Sequence, residues 1–233
     1  MIRQIITRLL GQARKPGQPL YFSVPAPAPG TADEKFTFHE ATLRESLKEL
    51  GYEPKSITEG LAVVYGELGD SNFTGIGVSC GGGLCNVCLA YLSVPVLSFS
   101  VSRGGDYIDS SSAEAIRDLA TSVRVQKENG FRFNGFFENK VYHALSVYYD
   151  DLIQSLVTSM RDTFSSAKHL PKLKQPVPLV LSGGTAMPAG FKDRFEKALC
   201  AADFPIELSE VRMASDPLHS TAKGTLVAAL CEA

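Results

Sequence analysis

The stretch Pro178-Leu179-Val180-Leu181-Ser182-Gly183-Gly184-Thr185-Ala186-Met187-Pro188-Ala189-Gly190-Phe191 decides the fold. Its first four residues read as a buried strand, and Phe191 to Leu199 reads as a charged helix. A strand that ends in Gly183 and Gly184 lets another group approach the backbone, because neither residue carries a Cβ. A helix that begins just beyond such a turn directs unpaired N–H groups at the same spot. Together they describe a place for a nucleotide. Taken alone, the motif is more often an ordinary strand–turn–helix connection.

Outward from that point, strands and helices alternate. A helix over about 2–13 leads through Lys15-Pro16-Gly17 to a strand at 20–25, and a Pro/Ala/Gly loop precedes a helix over about 37–50 that Gly51 caps. A short strand and a helix follow over "ITEGLAVVYGEL". Strands at 73–78 and 87–92 flank Gly81-Gly82-Gly83 and read as a hairpin, with a third strand at 96–101. Residues 110–127 and 140–164 read as helices, and the aromatic piece 131–137 between them as a hairpin or small insertion. A strand at 206–211 and a helix opening at Asp216 finish the chain. Interleaving of this kind is α/β architecture, not a bundle or a sandwich.

The chain has 233 residues, 44% of them apolar and 21% charged, which suits a globular protein with a real core. A net charge of -2 argues against general nucleic-acid binding. No apolar run reaches membrane-spanning length, so no transmembrane segment is expected. The five cysteines are odd in number and unevenly spread, which fits a reduced, cytoplasmic setting better than a disulfide scaffold. At the N-terminus, Ile2, Ile5, Ile6, Leu9 and Leu10 form one apolar stripe beside Arg3 and Arg8. A core-packed helix is the expectation there. A transit peptide or a membrane-surface helix is the alternative.

Several segments, in order, resemble the actin-like ATPase superfamily, which includes actin, MreB, FtsA, ParM, sugar kinases and DnaK-type chaperones. "FSVPA" at 22–26 and "GYEPKSITEGLAVVYGEL" at 51–68 are similar to the family's run into its first connecting helix. "GVSCGGGLCNVCLAYL" at 77–92 resembles the second phosphate loop, "vDiGGGTtdvavi", and "SRGGDYID" at 102–109 resembles the "GGd.iD" after it. "LVLSGGTAMPAGF" at 179–191 resembles the adenosine loop, and "SDPLHSTAKGTLVAAL" at 215–230 the family's "DPl..vAkGal.aa". The match runs from about residue 20 onward. Nothing matches the first phosphate loop, which the resemblance places about a hundred residues before residue 1, so the chain resembles the C-terminal portion of such an ATPase. The implied fold is an actin-like, ribonuclease H-like mixed sheet flanked by helices. Residues 1–70 would be the remainder of a first lobe with its connecting helix. Residues 71–233 would form a second lobe that returns to the first at the C-terminal helix.

The resemblance also implies roles. Gly81, Gly82 and Gly83 would aim backbone N–H groups at phosphate oxygens. Gly104, Gly105 and Asp106 would form a third glycine-containing turn, with a plain strand-to-helix turn as the alternative, and Gly183, Gly184 and Thr185 would pack on the nucleoside. Glu59 matches the acid that orients the attacking water, although a first-turn glutamate is also favoured by the helix dipole alone. Ser79 stands where the family has the Asp that holds Mg²⁺ through water, Leu84 where it has Thr, and Asn86 where it has a later acid. The implied ligands are ATP and Mg²⁺. With these replacements and no first phosphate loop, hydrolysis by this chain is expected to be weak. The implied partners are the nucleotide, and a second copy or another chain covering an exposed apolar face. A non-catalytic scaffold or filament-associated module is the competing class.

Arg124, Lys127 and Glu128 lie where the family often contacts adenine or ribose, but they read as a solvated helical face. Cys80, Cys85 and Cys88 have the C-x4-C-x2-C spacing of an iron–sulfur loop, so an iron–sulfur or zinc site is a minor alternative to small buried residues in a hairpin. His39, His143, His169 and His219 form no closely spaced pair.

Overall fold

The computed structural model describes residues 2–29, 34–133, 135–136, 139–168 and 170–231. In chain order the elements are α1 (Ile2–Leu10), β1 (Gln18–Val24), α2 (Glu34–Glu49), β2 (Tyr52–Thr58), α3 (Glu59–Glu67), β3 (Gly75–Cys80), β4 (Cys85–Tyr91) and β5 (Val94–Val101). Next come α4 (Gly105–Ile116), α5 (Ala120–Gly130), α6 (Lys140–Ser166), β6 (Val177–Ser182), α7 (Phe191–Ala201), β7 (Leu208–Met213) and α8 (Ser220–Cys231). Single 3₁₀ turns follow α3 and β6. The mixed α/β class expected from the sequence is the class observed.

The larger sheet has the order β5-β4-β3-β6-β7. β3 and β4 form the antiparallel hairpin, with Cys80 opposite Cys85, and β3 runs parallel to β6. Every residue of β3 and β6 is buried, because helices cover both faces of the sheet. On one face Ile76, Val78, Val87, Leu89, Leu179 and Leu181 join the main core with α6 and α7. The side chains of α6 there include Leu145, Leu152, Ile153 and Leu156. Each fully buried side chain of this size contributes about 1.5–3 kcal/mol. Asn139 starts α6 by accepting the Tyr142 N–H on its side chain at 2.9 Å.

On the other face lies α3. Its Leu61, Val63 and Val64 pack with Cys88, Ala90 and Val180 in a second, smaller cluster. α8 lies against α3 with almost no side-chain layer between them. A Cβ on Gly224 would sit 1.7 Å from the Ala62 carbonyl oxygen. β1 pairs in parallel with β2 in a separate two-stranded sheet, which packs against α8 and α2. Glu67, at the end of α3, ties this side to β7: Arg212 Nη1 donates to its carboxylate at 3.0 Å and Ser215 Oγ at 2.8 Å.

Several expectations change. The α1 helix is present, but its stripe is not packed into the core: Ile5, Leu9 and Leu10 are exposed. α1 is held to α2 by Arg3, which reaches Glu45 and Glu49. The helix expected over 110–127 is two helices, broken where Arg117 takes a left-handed conformation with φ 55°. The final helix opens at Ser220, not at Asp216. Residues 131–133 form no strand, and the remainder of that aromatic piece lies partly outside the described residues, as does His169. No helix among the described residues is long and apolar enough to cross a membrane.

Candidate functional site

Three glycine turns that are distant in sequence meet at one end of the large sheet. The hairpin turn follows β3 and is closed by Gly81 N donating to Leu84 O at 2.9 Å. The turn before α4 docks on it: Gly105 N donates to Gly81 O at 3.0 Å, and Asp106 N to Gly82 O at 2.8 Å. The turn after β6 docks as well, with Thr185 Oγ1 donating to Gly81 O at 2.8 Å. Backbone lies on backbone here, so side chains are excluded. A Cβ on Gly104 would come 2.4 Å from Gly82 O. One on Gly183, which has φ +91°, would come 2.2 Å from Cys80 O. By contrast, the N–H groups of Gly82 and Gly83 donate to no acceptor among the described residues.

Beside these turns opens a cleft of about 750 Å³, between the α4–α5 pair and the loop 184–189. That volume lies in the range of small-molecule sites. Its charged lining balances: Asp106, Asp109 and Glu128 against Arg124, Lys127 and Arg132. Asp109 is the hub and is nearly inaccessible. Arg124 Nε donates to its Oδ2 at 3.1 Å. Lys127 Nζ lies 2.7 Å from its Oδ1, at an angle outside hydrogen-bond geometry, so that contact is an ion pair. Arg124 Nη2 also reaches Asp106 Oδ1 at 2.6 Å. Lys127 is therefore not on a solvated face. Only 10% of its side chain is exposed, and it is fixed in the cleft wall by a buried charge. At the back, the Tyr149 ring stacks on Phe131 at 5.3 Å, and burial pushes its phenol pKa well up. Its hydroxyl has no hydrogen-bond partner among the described residues.

The counterparts of the expected catalytic positions lie below the hairpin turn and do not line the cleft. Glu59 opens α3, and its Oε2 accepts from Ser79 Oγ at 3.2 Å and from Asn86 Nδ2 at 3.0 Å. The same Asn86 accepts the Ala26 N–H on Oδ1 at 2.9 Å. Ser79 and Asn86 are buried and oppose each other across the hairpin. Burial raises the Glu59 pKa, and the two donors only partly offset it. Ser79 and Asn86 bring no charge to a magnesium ion, which the fold implies, and Glu59 would meet one through Oε1, the oxygen that neither donor engages. Among the described residues no cluster of acids, histidines or cysteines has metal-binding geometry.

The cysteine spacing is likewise not a metal site. Cys85 and Cys88 are three apart on one strand, so they point to opposite faces. Cys80 and Cys85 belong to the main core and Cys88 to the smaller cluster beneath α3. All three thiols are buried and free, and burial pushes Cys88 up to about 11.

The structure thus brings together Gly81, Gly82, Gly104, Gly105, Asp106, Gly183, Gly184 and Thr185, with Gly83 on the same turn. Glu59 and Ser79 form a separate pair. The sequence reading missed Asp109 and Tyr149. Asp109 had a signal, as the last acid of "GGDYID". Tyr149 had none, being one aromatic residue among many on α6.

The chain is similar to several solved actin-like structures. It matches the MamK double helical filament with TM-score 0.75 and 19% identity, over 99% of this chain and 74% of that one. It matches MreB5 of Spiroplasma citri bound to ADP with TM-score 0.68 and 14% identity, over 97% of this chain and 72% of that one. For the ethanolamine utilization protein EutJ from Carboxydothermus hydrogenoformans the values are 0.60 and 16%, over 97% and 71%. No curated protein matches the sequence. The fold is therefore actin-like. Residues 1–229 match the family described as Volactin, and the chain is a member of that family.

Proposed function

We propose that the cleft binds an adenine nucleotide, with the nucleoside between α5 and the loop 184–189 and the phosphates over the turn 81–83. The observation that carries this reading is the convergence of three glycine turns on one cleft. The unused N–H groups of Gly82 and Gly83 supply phosphate donors. Similar proteins support it: the solved structures include MreB5 with ADP and a MamK mutant with AMPPNP. In this reading residues 1–70 and 71–233 are two lobes of one nucleotide-binding unit.

Hydrolysis is slow. A water-orienting carboxylate must face the attacking water, and Glu59 does not line the cleft but is held beneath the hairpin turn by Ser79 and Asn86, which leave only Oε1 open. Ser79 adds no charge to stabilise the transferring phosphoryl group. Isothermal titration of the chain with ADP and ATP is the test. Saturable one-to-one binding is expected, with phosphate release at least about a thousandfold below the ten per second of a median enzyme. Absence of heat and of competition with a fluorescent nucleotide overturns the binding reading. Turnover near the median overturns the slow-hydrolysis reading.

A non-catalytic assembly role fits the same features. α8 exposes Leu226 and Leu230, and the similar MamK forms a double helical filament. Self-association through such apolar surface would appear as pelleting or light scattering that changes with nucleotide. Behaviour as a monomer at all concentrations, with and without nucleotide, removes it.

A further inference from the structure

We propose that Cys80 and Cys85 are a redox-active dithiol, which a hydroperoxide converts to a cross-strand disulfide that locks the glycine turn between them.

The register sets the pair. Cys80 ends β3, Cys85 begins β4, and the two are directly opposite. Gly81 N donates to Leu84 O at 2.9 Å, which makes 81 and 84 a hydrogen-bonded pair and 80 and 85 the non-hydrogen-bonded pair beneath it. In such a pair the Cα atoms lie about 4.5 Å apart, with the side chains close together. A disulfide accepts Cα separations of about 4.4–6.8 Å, so the hairpin can take the bond without parting its strands. Both side chains also point to one face. They belong to the main core, on the same side of the hairpin as Val78 and Val87. The Cys80 thiol hydrogen-bonds that of Cys85, and this contact, with burial, holds the Cys85 pKa well above its usual value.

The other cysteines lack this arrangement. Cys88 faces the smaller cluster, and its side-chain partner is Ser98. Cys200 and Cys231 are exposed on two separate helices, α7 and α8. A thiol held protonated in the core reacts slowly, because the thiolate is the nucleophile. The docked Gly105, Asp106 and Thr185 also hold the turn shut. Access comes through the turn itself: Gly82 and Gly83 are exposed, and the pair sits at the very ends of its strands, where local opening reaches it first.

The step balances with the peroxide as oxidant. A thiolate of the pair attacks one peroxide oxygen. An S–O bond forms, the O–O bond breaks, and the leaving oxygen takes up a proton. The second thiol then attacks that sulfur, an S–S bond forms, the S–O bond breaks, and water leaves. The two sulfurs give up two electrons, and the peroxide receives them.

The experiment treats the folded 233-residue chain with hydrogen peroxide, removes it with catalase, and alkylates the remaining thiols with iodoacetamide in urea. Chymotrypsin then cuts after Leu84, between the two cysteines. Fragments carrying Cys80 and Cys85 are expected to stay joined until dithiothreitol is added. In the joined species the alkyl group should sit on Cys88 in at least about tenfold excess over Cys85. The chain oxidised in urea should instead give a mixture of pairings. The same mixture from the folded chain, or Cys80 and Cys85 both alkylated or both sulfinic acids, overturns the proposal. Cys88→Ser is expected to give the same link, and failure of the folded variant to do so also overturns it. Hydrogen exchange reads the lock. The Gly81 N–H should exchange at least about tenfold more slowly in the oxidised chain than in the reduced one. Equal rates overturn the locking of the turn.

Discussion

The five-stranded and two-stranded sheets are built to different standards. Strands β3 and β6 are buried at every position, whereas β1 and β2 contain a single fully buried residue, Pro54. The large sheet has helices on both faces and its own aromatic and aliphatic core. The small one depends on α8, which arrives from the other end of the sequence, and on α2, which Arg44 fastens to β2 through Pro54 O and Ser56 Oγ. Apolar mass holds the first region, while the second is held by a close helix crossing and a few polar ties. A region held by a few contacts is the one that opens first.

The sharpest way to break this contrast is Gly224→Ala. Its Cβ would lie 1.7 Å from a backbone oxygen of α3, so the α3–α8 pair must separate. A loss on the order of 4 kcal/mol is expected by urea denaturation. Hydrogen exchange should show protection lost in β1, β2 and α8 while β3, β4 and β6 keep theirs. Uniform loss across both sheets would mean that the two regions are one cooperative unit.

A smaller effect is expected where the regions are bridged. Glu67→Ala leaves the Ser215 N–H without its acceptor and takes the carboxylate from Arg212, which keeps the Glu67 and Met213 carbonyls and Glu210, and should cost about 1–2 kcal/mol. Burial pushes the Glu67 carboxyl up, but the Ser215 N–H, the Arg212 guanidinium and the Ser215 hydroxyl outweigh it and hold it below the usual range. Its stabilising contribution is therefore present above the ordinary carboxylate pKa and fades as pH falls through the lowered value. An acid-unfolding midpoint unchanged by the substitution would show that the bridge carries nothing.

Glu59 has the opposite sign and the smallest expected effect. Its raised pKa means the folded state takes up a proton that the unfolded chain has released. Its contribution is full below the ordinary value of about 4.3 and is lost as pH rises through the raised one. Glu59→Gln keeps an acceptor for Ser79 and Asn86 and removes the charge. It should match the parent in acid and exceed it in melting temperature near neutral pH. A variant that melts lower than the parent at pH 7 would show that the ionised carboxylate is worth more to Ser79 and Asn86 than its burial costs.

Much of this was legible in the residues. The hairpin around Gly81-Gly82-Gly83 and the Ser182-Gly183-Gly184 turn announce themselves as glycine clusters between apolar runs, and at Gly183 the close backbone approach and positive φ admit only glycine. The period of a strand was also available to exclude the cysteine trio, since Cys85 and Cys88 differ by an odd step. Other features left no local trace. Arg117 breaks a helix without any glycine or proline to mark it. Lys127 looks like any helical lysine until the α4–α5 break turns it toward Asp109. The α1 stripe has the spacing of a core face and is exposed nonetheless, because amphipathicity specifies a face and not what covers it.

The α3–α8 crossing has a consequence in time. β1 leaves the ribosome well before α8, yet the two pack against each other in the finished molecule. The two-stranded sheet is not covered until α8 has been made, whereas the β3–β4 hairpin needs only its own few residues. Contacts between segments so distant in sequence are also slow to close. The nascent chain therefore spends its longest exposed interval with β1 and β2 uncovered, and it is in that interval that a chaperone or a neighbouring copy competes with α8 for them.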